Sequence, residues 1–89
     1  MATFPENNEG KIGRLYAAEG DRVYFWLKES TISNPPGDYY FISRGHPNYQ
    51  ALLSLLYMAA ESRYRIGVKN KPELEAGQFA EVRYLVVDW

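Results

Sequence analysis

Eighty-nine residues, 46% apolar and 16% aromatic, describe one folded domain with room for a single small core. Ten Lys and Arg against eleven Asp and Glu leave a formal charge of -1, without the basic footprint of a duplex-binding protein. No cysteine is present, which excludes disulfides, thiolate metal sites and a cysteine nucleophile.

The start, MATFPENNEG, is polar and carries no signal-peptide core, and no apolar stretch reaches the length of a membrane span. The expected compartment is the cytoplasm if Met1 is native and the exterior if a signal peptide has been removed. Residues 1–9 read as a flexible arm and 10–89 as a single domain. Two alternating stretches, about 11–18 and 22–29, flank the short turn EGD and predict a hairpin. In the second stretch Val23, Phe25 and Leu27 share one face, and Tyr24, Trp26 and Lys28 share the other. TISNPPGD is a loop, because two prolines and a glycine suit neither a strand nor a helix interior. DYYFIS (38–43) is a third strand, ended by RGHP.

A helix follows. Pro47 fits its first turn, where a missing N–H costs nothing, and His46 or Asn48 caps it, with Asn the better capping type. Tyr49, Leu52, Leu53, Leu56 and Ala60 form one stripe, which Ala51, Leu55, Met58 and Ala59 widen. Gln50, Ser54 and Glu61 fall within an arc of about 40°. The remaining circumference is apolar or aromatic, more than twice the stripe of about 100° that a surface helix needs. A domain this small rarely engulfs a helix alone, so a second chain is the expected cover, with Leu52, Leu55, Leu56, Met58 and Ala59 at the interface.

RYRIGVKN (63–70) is a fourth strand, with Tyr64, Ile66 and Val68 opposite Arg63 and Arg65. KPELEAGQ is a loop around Pro72 and Gly77. FAEVRYLVVDW (79–89) is a fifth strand, in which Ala80, Val82, Tyr84 and Val86 oppose Glu81 and Arg83 before the second face turns apolar. Leu85, Val87 and Trp89 on that face extend the expected interface.

Five short strands with one helix between the third and fourth is the arrangement of the OB-fold, a Greek-key barrel. The expected fold is mainly β with one helix: a five-stranded OB-like antiparallel barrel in the order β-β-β-α-β-β. An α+β sheet with one helix on its face is the alternative.

YQALLSLLYMAAESRYRIGV followed by AEVRYLVVDW resembles the ring-forming B subunits of bacterial AB-type toxins, of the cholera, pertussis and subtilase-cytotoxin kinds. The resemblance is one of pattern and covers about residues 38–89. The chain lacks that family's usual cysteine pair and a visible secretion signal. The resemblance implies a bacterial, cyclic homo-oligomer, a pentamer by preference, with helices toward its centre. It also implies glycan binding on an outer face and a separate catalytic subunit as partner.

His46, the only histidine, has no nucleophile or orienting carboxylate beside it in RGHPN and reads as a helix-entry residue. One His and no Cys make a poor metal site. Glu73 and Glu75, and Glu6 and Glu9, read as solvated charges, since a glycosidase needs two carboxylates held across a cleft. Arg63 and Arg65 read as ion-pair partners on a sheet face. No phosphate loop, nucleophile elbow or HExxH is present, so the chain is not expected to be an enzyme and needs no cofactor or metal. The outward aromatics carry the ligand expectation: Tyr24, Trp26, Tyr39 and Tyr40, with Asn34 and Asp38 in the adjoining loop. The predicted function is a non-catalytic oligomeric binding module for glycans. The alternatives are a structural assembly protein without a small ligand and a single-stranded nucleic-acid-binding OB protein, the latter weighed down by the balanced charge.

Overall fold

The computed structural model describes residues 3–17, 20–75 and 77–88. Its elements are β1 (Asn7–Ala17), β2 (Arg22–Lys28), β3 (Tyr40–Ser43), α1 (Tyr49–Ser62), β4 (Ile66–Glu75) and β5 (Phe79–Val87), in the predicted chain order of three strands, a helix and two strands. The strands form one five-stranded sheet that closes in a ring, with spatial order β1-β2-β3-β5-β4 and β1 pairing back onto β4. The sheet is mixed, which corrects the antiparallel expectation: β3 and β5 run parallel through Tyr40↔Ala80 and Phe41↔Glu81. A parallel pair needs a long crossover, and α1 with β4 supplies it.

Two segments expected to be irregular are strand. Residues 7–9, assigned to the arm, open β1 and pair with β4 at Asn7↔Lys69, Asn8↔Val68 and Glu9↔Gly67. Ahead of them Thr3 bridges Glu73, and the Phe4 N–H donates to the Pro72 carbonyl at 2.8 Å. β4 likewise runs on through KPELE to Glu75. Pro72 is tolerated there because the ladder is irregular between Asn70 and Leu74, where no N–H is needed.

The core is built from Phe25 and Leu27 of β2, Tyr40 and Ile42 of β3, Leu52, Leu56 and Ala59 of α1, Ile66 and Val68 of β4, and Ala80, Val82 and Leu85 of β5. Burying a Leu, Phe or Ile of this kind contributes about 1.5–3 kcal/mol. Tyr40 stacks on Phe25 at 5.5 Å, and its hydroxyl accepts a hydrogen bond from Asn8 Nδ2 at 3.0 Å. Asn8 Oδ1 accepts in turn from the N–H groups of Glu9 and Ile32 and from the Thr31 hydroxyl, so one buried carboxamide ties β1 to the loop after β2.

The wide apolar arc of α1 is therefore covered in part within the chain. Leu52, Leu56, Ala59 and Leu85, expected at a subunit interface, are core residues instead. Leu55 and Val87 are half-buried against that core, Met58 is half-buried, and Trp89 lies outside the described residues. A closed sheet directs side chains from all its strands inward, and α1 packs on β1, β3 and β5 through the stripe of Leu52, Leu56 and Ala59, while Ala51 and Tyr57 stay exposed.

A bulge in β5 overturns the predicted faces of that strand. Lys69 pairs with Tyr84 and Asn70 with Val82, which leaves Arg83 as the extra residue. Alternation restarts one residue out of step. Ala80, Val82 and Leu85 point inward, while Tyr84 and Val86 face outward at 52% and 37% exposure. Tyr64, expected beside Ile66 and Val68, precedes β4 and is exposed. β1 has a matching irregularity between Ile12 and Arg14, with Gly13 the extra residue.

Asn48 occupies the N-cap position, but its side chain makes no capping hydrogen bond. His46 does the local work: its Nδ1 accepts the Asn48 N–H at 3.0 Å, and its carbonyl accepts the Tyr49 N–H at 3.0 Å. Arg63 closes the helix in the left-handed conformation at φ 60.

Candidate functional site

Outward residues of β1, β2 and β3 meet in register. Tyr16 pairs with Tyr24, and Tyr24 with Phe41. The Tyr16 and Tyr24 rings stack at 5.3 Å and 18°. Tyr39 closes on them edge-on, 5.3 Å from Tyr16 and 6.2 Å from Tyr24. Phe79, at the start of β5, adds an edge-on contact to Tyr24 at 5.5 Å. Phe41 points outward yet is fully buried, because Tyr24 covers it from one side and the Arg22 guanidinium lies 4.1 Å over its ring. Arg22 is fixed there by Glu75 at 3.1 Å.

Along β2, Trp26 continues this face at 37% exposure, opposite Arg14. Arg14 Nη1 donates to the Tyr39 hydroxyl at 3.2 Å, so a cation is held between the tyrosines and the indole. Gly13 lies beside Trp26: a Cβ there would stand 3.6 Å from Trp26 Cε2, and its absence keeps that edge of the indole open. Partial burial, then the phenols of Tyr39 and Tyr24, raise the Tyr16 hydroxyl above its ordinary 10.0, while Arg14 pulls it down. The face is thus a row of rings with phenol hydroxyls and one guanidinium. It can stack on a flat or apolar surface and hydrogen-bond at its edge.

Of the predicted ligand residues, Tyr24, Trp26 and Tyr39 come together on this face. Asp38 is exposed in the loop before it, with φ 77 and its N–H on the Pro35 carbonyl at 2.7 Å. Tyr40 does not belong to the face: alternation turns it into the core at 0% exposure. Asn34 does not belong either. Its Oδ1 accepts the Leu27 N–H at 3.0 Å and its Nδ2 donates to the Leu27 carbonyl at 2.9 Å, so its carboxamide completes the ladder of β2. Tyr16, Arg14 and Phe79 were not singled out by sequence reasoning. The alternation of GRLYA already placed Arg14 and Tyr16 on one face, whereas Phe79 arrives through the non-local β3–β5 pairing.

His46 stands elsewhere, and both ring nitrogens are occupied: Nδ1 by Asn48 and Nε2 by the Arg83 carbonyl at 2.9 Å. Glu75, Glu9 and Glu6 pair with Arg22, Arg65 and Arg83. Among the described residues no group of three His, Cys, Asp or Glu stands close enough to hold a metal ion, and no helix is long and apolar enough to cross a membrane. Comparison with protein-family models, with curated proteins and with solved structures finds no match for this chain.

Proposed function

We propose that this chain is a non-catalytic binding module on an OB-like barrel, taking a glycan on the outer face of β1, β2 and β3 and working as a ring of copies. The closed strand order with a helix between β3 and β4 supports the OB-like reading. Barrels of that kind receive ligands on the second and third strands, between the loops that follow the first and fourth. Tyr16 stands at the first of those loops and Phe79 at the other. The observation that carries the glycan reading is the outward Tyr16–Tyr24 stack closed by Tyr39, with exposed Trp26 and Arg14 beside it. Rings of this kind stack on the apolar face of a sugar, while phenols and guanidinium reach its hydroxyls.

Assembly is supported by exposed apolar side chains that the domain leaves uncovered: Tyr57 on α1, and Tyr84 and Val86 on β5. One shallow sugar site is weak, but several on one ring bind a glycan-bearing surface together and gain avidity. A ring of B-subunit type would carry a separate catalytic subunit. The structural-assembly reading differs only in leaving the aromatic face without a ligand.

One observation favours a second reading, a single-stranded nucleic acid: Lys11, Arg14 and Lys28 line the same strand pair as Trp26. The two ligands separate by salt. A glycan array and an oligonucleotide titration at two salt concentrations test both. Salt-insensitive glycan binding that disappears in Trp26→Ala, with the fold retained, is the expected outcome. Oligonucleotide binding that falls steeply with salt would replace it by the second reading, and silence in both assays would leave only assembly.

A further inference from the structure

Beyond Trp26, at the far end of the β1–β2 pair, lies a site of different chemistry. A cleft of about 310 Å³ opens between these strands and the C-terminal end of α1, lined by Lys11, Ile12, Lys28, Glu29, Ala60 and Arg63. Three cations face one carboxylate in a chain whose net charge is -1. Lys11 and Lys28 are direct cross-strand partners, a placement in which like charges repel. Glu29 relieves this little: it stands 3.9 Å from Lys11, at the outer limit of an ion pair, and its own side chain is 63% exposed. Outside the cleft, Arg22, Arg65, Lys71 and Arg83 each stand against a carboxylate, while Arg14 and Lys69 bond to the neutral side chains of Tyr39 and Asn7. Lys28 and Arg63 have no such partner among the described residues.

The cleft is also held in shape. Arg63 is the left-handed C-cap of α1, so its side chain leaves from a fixed point at the rim. The Ala59 carbonyl at the helix end, which would repel an anion, is occupied by the N–H groups of Arg63 and Tyr64. The Glu29 carbonyl accepts Arg65 Nη1 at 3.0 Å, which anchors the opposite rim.

We propose that this cleft binds the oxyanion of a sulfate or phosphate monoester, with Lys11 and Lys28 as point charges and Arg63 as the planar fork. The bound anion bridges the two lysines and removes their repulsion. Its volume leaves room for the sugar that carries the ester. The site stands independently of the aromatic face, since it shares no residue with the tyrosine stack.

The test is a two-dimensional NMR titration of the full chain with sodium sulfate and sodium phosphate, against sodium chloride at matched ionic strength. Saturable shifts at Lys11, Lys28 and Arg63 with either oxyanion, absent with chloride, are expected. Glucose 6-sulfate and glucose 6-phosphate should each bind at least about tenfold more tightly than glucose, and the stronger of the two identifies the ester. The double variant Lys28→Gln, Arg63→Gln, which removes repulsion and should fold, loses this response by about tenfold or more. Equal shifts in chloride, an unaltered response in the double variant, or tighter binding of a short thymidine oligonucleotide than of either sugar ester would each overturn the proposal.

Discussion

His46 ties the start of α1 to the bulge of β5. With Nδ1 accepting from Asn48, Nε2 carries the proton and donates to the Arg83 carbonyl at 2.9 Å. Arg83 is the residue that the β4–β5 ladder skips. His46→Ala should lower stability by about 1 kcal/mol in urea denaturation, the scale of one half-exposed hydrogen bond or cap. His46→Gln should recover part of that, and neither variant should alter ligand binding. A His46→Ala protein that folds normally but loses all binding would show that the imidazole acts on the ligand.

Tyr40 and Asn8 make stability sensitive to alkali. Burial raises the Tyr40 hydroxyl above 10.0, and the hydrogen bond from Asn8, which favours the phenolate, offsets only part of this. In the unfolded chain this tyrosine ionises near its ordinary value. Its contribution is therefore complete below about pH 10 and is lost as pH rises through the folded value. Tyr16 acts in the same direction. Urea midpoints at about pH 8 and about pH 11 should differ, and Tyr40→Phe should reduce the difference while costing about 1–2 kcal/mol at the lower pH, since Asn8 Nδ2 is left unpaired. An equal alkaline loss in Tyr40→Phe would assign the effect to other groups.

Neighbouring residues of α1 separate folding from assembly. Leu56 is 0% exposed and Tyr57 53%. Leu56→Asp places an unpaired charge in the core and should cost more than about 4 kcal/mol, leaving the 10.3 kDa chain unfolded. Tyr57→Asp should leave the circular dichroism spectrum intact while weakening any oligomer held through this helix face. Sedimentation of the wild-type chain as a monomer at micromolar concentration would sink the ring.

Gly37 is the point where the loop before β3 presses on the β4–β5 turn. Its N–H donates to the Gln78 carbonyl at 3.0 Å. A Cβ there would meet the Gly77 carbonyl oxygen well inside contact distance and the Gln78 oxygen at 2.9 Å. Gly37→Ala should lower stability by about 1–3 kcal/mol and disturb the nearby contact of Tyr39 with Phe79. Gly45→Ala, where nothing lies within 4 Å, is the matched control and should change the melting temperature little.

Much of the candidate face was legible locally. Period-two alternation along β2 placed Tyr24 and Trp26 opposite Phe25 and Leu27, and the structure keeps that division. The pair Tyr39 and Tyr40 had to split across the sheet, but alternation alone does not say which goes inward. That was settled by Asn8, thirty-two residues earlier, whose carboxamide meets the Tyr40 hydroxyl inside. Asn34 looked like a polar ligand group because its type suits loops and sugars equally. Only its position beside Leu27 turned it into a substitute for a missing strand partner.

By itself the sequence determined the element order, the inward face of β2 and the extent of α1, because each depends on spacing within a few residues: the alternation of a strand, the stripe of a helix, Pro47 at its entry. The tertiary structure decided everything that depends on a neighbour. The bulge at Arg83 exchanged the faces of β5, so Leu85 went to the core and Tyr84 to the surface. Pairing with β4 drew residues 7–9 out of the expected arm, and the parallel β3–β5 contact brought Phe79 to the tyrosines. Closure of the sheet enclosed one stripe, Leu52, Leu56 and Ala59, of the apolar arc of α1 that had pointed to a second chain, and left Tyr57 outside. Register, bulges and closure are relations between strands distant in the chain, and a hydrophobic pattern read along one strand carries no record of its partner.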